Sequence, residues 1–160
     1  MGNSKNVVSA ACFLFAKNEN GEMCVLCGKR SGDDLLHYGG FFDVPCGVRE
    51  YGEEPIDTAV RELKEEAGIS ISSSDLTFYG YQPWGGRSNK YGANFYALLD
   101  ECIEIGQGDG EHDFFKWIPL KEVGNYLWAF YMNYIIFEIY QNIIVKQTLQ
   151  EYLTRHCQLI

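Results

Sequence analysis

The segment VPCGVREYGEEPIDTAVRELKEEAGI, residues 44 to 69, restricts what this chain can fold into more than any other. Pro55 suits the first turn of a helix, where its missing N–H costs nothing, and Gly68 suits the left-handed residue that ends one. Between them Ile56, Ala59, Val60, Leu63 and Ala67 recur at helical spacing as one apolar stripe. Such a helix must dock on a core. The segment also carries seven acids, Glu50, Glu53, Glu54, Asp57, Glu62, Glu65 and Glu66, against the bases Arg49, Arg61 and Lys64. Glu62, Glu65 and Glu66 stand at i, i+3 and i+4, so they share one face beside the stripe and repel each other. Asp57, Arg61 and Glu65 are successive i, i+4 neighbours, an arrangement that leaves Glu62 and Glu66 with little compensation. Two readings fit this face: a solvated charge run, or three hard oxygen donors gathered for Mg²⁺, with water and substrate phosphates completing its octahedron.

The remaining sequence surrounds that helix with strands. VVSAACFLFA (residues 7 to 16) and EMCVLCG (22 to 28) are apolar runs separated by KNENG, and read as an antiparallel pair joined by a turn. FFDVP is a short extended piece leading into the acidic segment. LTFYGYQPW and ANFYALLD read as two further strands, IGQGDGEHD as an exposed loop, and FFKWIPL as a last short strand. From Asn125 to about Arg155 there is no Gly or Pro, which predicts a tail that is helical throughout, with room for a break. Its apolar residues encircle the helix more fully than one packing face requires, which points to burial on the domain and to a homodimer through its second side. The chain therefore reads as one domain over residues 1–160, of class α/β, with 125–156 a C-terminal helical extension.

Composition narrows the partners. A formal net charge of −9 argues against a surface that holds duplex nucleic acid by its phosphates. Asn133, Glu138, Gln141 and Asn142 interrupt the apolar tail, which argues against a membrane span. Six cysteines without a signal-peptide pattern fit a reducing, cytoplasmic setting. Cys24 and Cys27 lie three apart in a strand, so they point to opposite faces and do not form a ligand pair. MGNSKN begins like a myristoylation signal, but Asn6 stands where Ser or Thr is expected.

The surrounding letters decide between the two readings of the acidic face. Gly47, Glu53, Arg61, Glu62, Leu63, Glu65, Glu66, Gly68 and Ile69 match, without departure, the Nudix box of the Nudix hydrolase family, and the segment is identified as resembling it over 23 contiguous residues. The flanking strand pattern is compatible with that family's fold over about residues 5 to 125. The resemblance implies an α/β/α sandwich around a mixed sheet, with the box as loop, helix and loop. It also implies metal-dependent hydrolysis, with Mg²⁺ or Mn²⁺, of a pyrophosphate bond in a nucleoside diphosphate derivative. By similarity Glu62, Glu65 and Glu66 ligate metal, with Glu62 alternatively the base on water, and Cys46 offers a backbone carbonyl. Arg61 orients these acids, with Glu53 pairing with it or serving a second metal. A further acid comes from the loop ahead of a Trp-containing strand: Glu111, with Asp113 and His112 as alternatives. Tyr38, Phe42, Tyr81 and Trp84 are candidates for stacking on a base, Arg30 and Arg87 for phosphate contacts. Pro83 lies near, but not at, the spacing of the ADP-ribose subgroup, and a nucleoside triphosphate or nucleotide sugar is the expected substrate. Two other functions share the fold, a non-catalytic nucleotide sensor and an isoprenoid diphosphate isomerase.

Overall fold

The two N-terminal apolar runs pair antiparallel as β1 (Asn6–Lys17) and β2 (Met23–Arg30), with Phe15 opposite Val25. The turn between them is tied by Asn18, whose Oδ1 accepts from the N–H groups of Asn20 and Glu22. The structure, a computed structural model, describes residues 6–85 and 89–157, the side chains of 156 and 157 excepted. Arg87, the first five residues of MGNSKN and the Cys157 side chain lie outside the described residues.

Further strands follow as β3 (Phe42–Asp43), β4 (Cys46–Val48), β5 (Thr77–Pro83), β6 (Lys90–Leu99) and β7 (His112–Pro119), with the helix α1 (Pro55–Ala67) between β4 and β5. The sheet runs β3-β2-β1-β6-β5, with β4 also paired to β1 and β7 to β2. It is mixed: β1 and β6 are parallel, and the other pairs are antiparallel. A central strand covered on both faces must be apolar throughout, which is why β1 is a continuous apolar run rather than an alternating one. Its Ala10, Cys12 and Leu14 meet Ala59, Leu63 and Ala67 of α1 on one face. Its Ala11, Phe13 and Phe15 meet Met132, Ile136, Ile139 and Ile144 of the C-terminal segment on the other. Helix, sheet and helix therefore form the expected α/β/α sandwich.

The tail departs from its expected course. Its helix begins at Met132, not Asn125, as α2 (Met132–Ile139), continues through a π-helical turn (Tyr140–Val145) and ends as α3 (Lys146–Cys157). The preceding residues find better partners elsewhere. Phe42 N–H donates to the Leu127 carbonyl at 2.8 Å, Trp128 pairs with Phe42 as an isolated bridge, and the Trp128 indole donates to the Val123 carbonyl at 2.8 Å. These tertiary bonds satisfy backbone groups that a helix would otherwise need to pair. Phe130 and Tyr131 then take positive φ angles of 55° and 57°. No helix among the described residues is long and apolar enough to cross a membrane.

Candidate active site

Helix α1 carries the acidic face, and its two ends are built as the sequence implies. Pro55 opens it, and Gly68, at φ 64°, closes it with its N–H on the Lys64 carbonyl. A β-carbon on Gly68 would stand 2.6 Å from Gly106, so glycine here serves close packing as well as conformation.

Arg61 is the hub. Its Nε donates to Glu53 Oε1 at 2.8 Å, Nη1 to Glu62 Oε1 at 2.7 Å and Glu65 Oε2 at 2.9 Å, and Nη2 to the Val48 carbonyl at 3.0 Å. Glu53 thus pairs with Arg61, and also accepts from Thr58 Oγ1 at 2.8 Å and Glu50 N–H at 3.0 Å. These bonds hold its carboxyl down at about 2, the Arg61 guanidinium being the largest cause. Glu62, expected to have little compensation, gains Arg61 because these adjacent side chains both bend toward the β4 backbone. Gly47 makes that possible: a β-carbon there would overlap Glu62 Oε1.

Glu66 is the uncompensated acid. It is 3% exposed, accepts from Cys46 N–H through Oε2 at 2.9 Å, and its Oε1 has no hydrogen-bond partner among the described residues. Burial pushes its carboxyl up to about 10, reinforced by the charge of Asp43 and by Glu62 and Glu111. Glu62 is also raised, chiefly by burial, with Glu65 and Glu111 adding to it against Arg61. Cys46 lies in the extended β4 and is not among the residues of positive φ, so its backbone carries no strain of that kind.

A buried chain of polar groups lies behind Glu66. Arg30 Nη1 donates to Asp43 Oδ2 at 2.8 Å, and Asp43 Oδ1 lies 2.7 Å from His112 Nε2. His112 Nδ1 faces Glu66 Oε1 at 3.8 Å, too far for a hydrogen bond, and neither atom has a hydrogen-bond partner among the described residues. Asp43 is fully buried. Sequence reasoning passed over it, although an acid inside the apolar FFDVP was the available signal.

Glu62, Cys46, Gly47 and Glu111 border a cleft of about 890 Å³ between the sheet and the start of α2. Glu111 therefore stands at the acidic site, whereas Asp113 points away into a 3.1 Å ion pair with Lys29. The loop before it is exposed, as expected, yet tied to α1 at two points. Gly106 N–H donates to the Ala67 carbonyl at 2.9 Å, and a β-carbon on Gly108 would overlap the Glu66 carbonyl. These glycines seat the loop against the end of α1. Of the aromatic candidates, Tyr38 and Trp84 line the cleft. Phe42 is core, packed on Tyr126 with ring centroids 4.5 Å apart, and Tyr81 packs on Phe78 at 4.8 Å. Arg30 lines the cleft with its guanidinium 5.7 Å from the Phe130 ring centre.

The NUDIX domain family model matches residues 5–140. The chain belongs to this family. Nudix hydrolase 5 of Arabidopsis thaliana is 27% identical over 139 residues, which are 86% of this chain and 45% of the relative. A NAD-capped RNA hydrolase NudC of Vibrio atlanticus is 33% identical over 67 residues, 38% of this chain and 24% of that protein. This chain thus spans less than half the length of the curated relatives it matches. Among solved structures, the NUDIX domain of Shewanella oneidensis NrtR complexed with ADP ribose superposes with a TM-score of 0.72 at 17% identity, covering 89% of this chain and 90% of that one. A C. elegans Ap4A hydrolase binary complex gives 0.64 at 20% identity, covering 85% and 96%. At these identities the likeness establishes the Nudix fold.

The side chains suit a divalent cation by their chemistry more than by their present geometry. Among the described residues no three His, Cys, Asp or Glu groups are gathered closely enough to hold one. Yet burial raises the proton affinity of Glu62 and Glu66, the charge of Glu111 adds to both, and Glu66 Oε1 has no hydrogen-bond partner among the described residues. Carboxylate oxygens are the donors that a hard divalent cation takes, so the fit lies in the donor chemistry.

Proposed function

We propose that the protein is a Nudix-type pyrophosphohydrolase that cleaves the pyrophosphate bond of a nucleoside diphosphate derivative, such as a nucleoside triphosphate or a nucleotide sugar. The observation that carries this reading is the uncompensated Glu66 beside Glu62 at the edge of a large aromatic-walled cleft. Mg²⁺ or Mn²⁺ bound there supplies charge neutralisation of the pyrophosphate and activation of water. Glu62, Glu65, Glu66 and the Cys46 carbonyl would hold it. Arg61 fixes the directions of Glu62 and Glu65, and Glu53 fixes Arg61. Where Glu62 is not a ligand, its raised proton affinity suits it to take a proton from water, and Glu111 adds an acid from the loop before β7.

The net charge of −9 supports a small nucleotide rather than duplex nucleic acid as substrate, and buried free thiols at Cys12, Cys24 and Cys27 support a reducing, cytoplasmic setting. We also propose a homodimer through the tail. Its support is the side of the segment turned away from the core, where Phe137, Val145, Leu149 and Leu153 are exposed.

The test is incubation with a panel of nucleotides and Mg²⁺ or Mn²⁺, with products identified by mass. Metal-dependent release of a nucleoside monophosphate or of phosphate is expected. Binding without turnover on every substrate would indicate a sensor, and proton exchange into an isoprenoid diphosphate without phosphate release an isomerase. Either result overturns the proposal.

A further inference from the structure

The floor of the cleft holds a carboxamide whose oxygen has no hydrogen-bond partner among the described residues. Strand β6 alternates its side chains between the two faces of the sheet: Ala93, Phe95 and Ala97 enter the core under α1, which turns Gly92 and Asn94 to the cleft. Asn94 is 3% exposed, and its Oδ1 has no hydrogen-bond partner among the described residues. The strand register supplies the reason. Asn94 lies between Ala11 on β1 and Gly80 on β5, neither of which has a polar side-chain atom. One step along, Gly92 lies between Ser9 and Gln82. A β-carbon on Gly92 would stand 2.9 Å from Ser9 Oγ and 3.5 Å from Gln82 Nε2, so these polar groups close over the space that glycine leaves.

Small residues therefore open a slot whose floor bears two carboxamides and a hydroxyl. Its walls include Tyr38, Trp84 and Phe130, and the Tyr38 and Phe130 rings meet at 4.7 Å. Both of these residues adopt positive φ, 59° and 55°, as does the neighbouring Tyr131 at 57°. Bulky residues take that conformation at a cost, and such strain concentrates at ligand sites. Aromatic walls with hydrogen-bonding groups at the floor fit a flat heterocycle inserted edge first.

We infer that this slot takes the base of the nucleotide, and that Asn94 selects a base whose edge places an exocyclic amine beside an unprotonated ring nitrogen, as adenine's does. A carboxamide presents an acceptor next to a donor, the complement of adenine's N6 amine and N7. Hypoxanthine, with a carbonyl in place of the amine, sets a second acceptor against Asn94 Oδ1 and leaves that buried atom unpaired. The inference rests on the proposal that a nucleotide occupies the cleft.

Titration calorimetry with AMP and with IMP tests it, because neither contains a pyrophosphate bond and binding is read apart from turnover. The wild-type chain is expected to prefer AMP by about tenfold to a hundredfold, the discrimination usual for a bidentate amide pair. Asn94→Leu should bring the ratio near unity without lowering the thermal midpoint, since it removes an acceptor that has no partner. Asn94→Ala serves the same purpose should the leucine fail to fold. Equal affinity in the wild type, a preference that survives both substitutions, or no binding of either nucleotide at millimolar concentration overturns the inference. Metal-dependent turnover indifferent to the base would sink base selection and leave hydrolysis standing. Tight selection of AMP with no turnover on any substrate would do the reverse.

Discussion

Glu66→Gln should make the metal-free protein more stable at neutral pH, with a gain that grows as pH rises. In the folded chain burial and Asp43 hold the Glu66 carboxyl at about 10, against an ordinary value of 4.5. The folded pKa is raised, so the carboxyl's contribution is fully present below pH 4.5 and is lost as pH climbs toward 10. Over that window the unfolded chain ionises Glu66 freely and the folded chain does not. At pH 7 the penalty spans about two and a half pH units at about 1.36 kcal/mol each, or roughly 3 kcal/mol. That figure needs only that the folded value exceed 7. Glutamine keeps the shape and can still accept the Cys46 N–H, but it has no proton to lose. Urea unfolding in EDTA measures the difference: with an m-value of roughly 2 kcal/mol/M, the midpoint of Glu66→Gln should lie about 1.5 M above wild type at pH 7 and close to it at pH 4.5. Millimolar Mg²⁺ should narrow the gap by stabilising only the wild type. A variant less stable at every pH, or a gap that does not change with pH, would refute the reasoning.

Gly47→Ala places a methyl where Glu62 Oε1 now lies. A displacement of that order should lower turnover by about a hundredfold while circular dichroism stays native, and an unchanged kcat would show that Glu62 need not approach the β4 backbone. Glu111→Gln should reduce kcat more than Asp113→Asn, because Glu111 borders the acidic site whereas Asp113 is held by Lys29. Equal, small effects would remove Glu111 from the reaction. Light scattering at micromolar concentration should give twice the 18.2 kDa chain mass, and a monomer whose tail resists proteolysis would end the homodimer proposal.

The sequence determined the elements whose information is local. The stripe Ile56, Ala59, Val60, Leu63 and Ala67, with Pro55 before it and Gly68 after, is enough to specify α1, and a 3.6-residue period then fixes which face Glu62, Glu65 and Glu66 share. The apolar run of β1 likewise announces a strand covered on both sides. Tertiary structure decided what depends on partners distant in the chain. Residues 126 to 128 carry no local signal against helix, yet hydrogen bonds to Phe42 and Val123 hold them out of one. Periodicity could not place Glu62 under Arg61, because that pairing needs the space left by Gly47 on another element. Asp43 carried only the signal of an acid in an apolar segment, and Asn94 carried none. Asp43 takes its meaning from Arg30 and His112, which β2 and β7 bring beside it. Asn94 takes its meaning from what its neighbours lack, since only the register of β1, β6 and β5 sets Ala11 and Gly80 on either side of it. A buried polar atom is costly or useful according to what faces it, and what faces it is settled by packing.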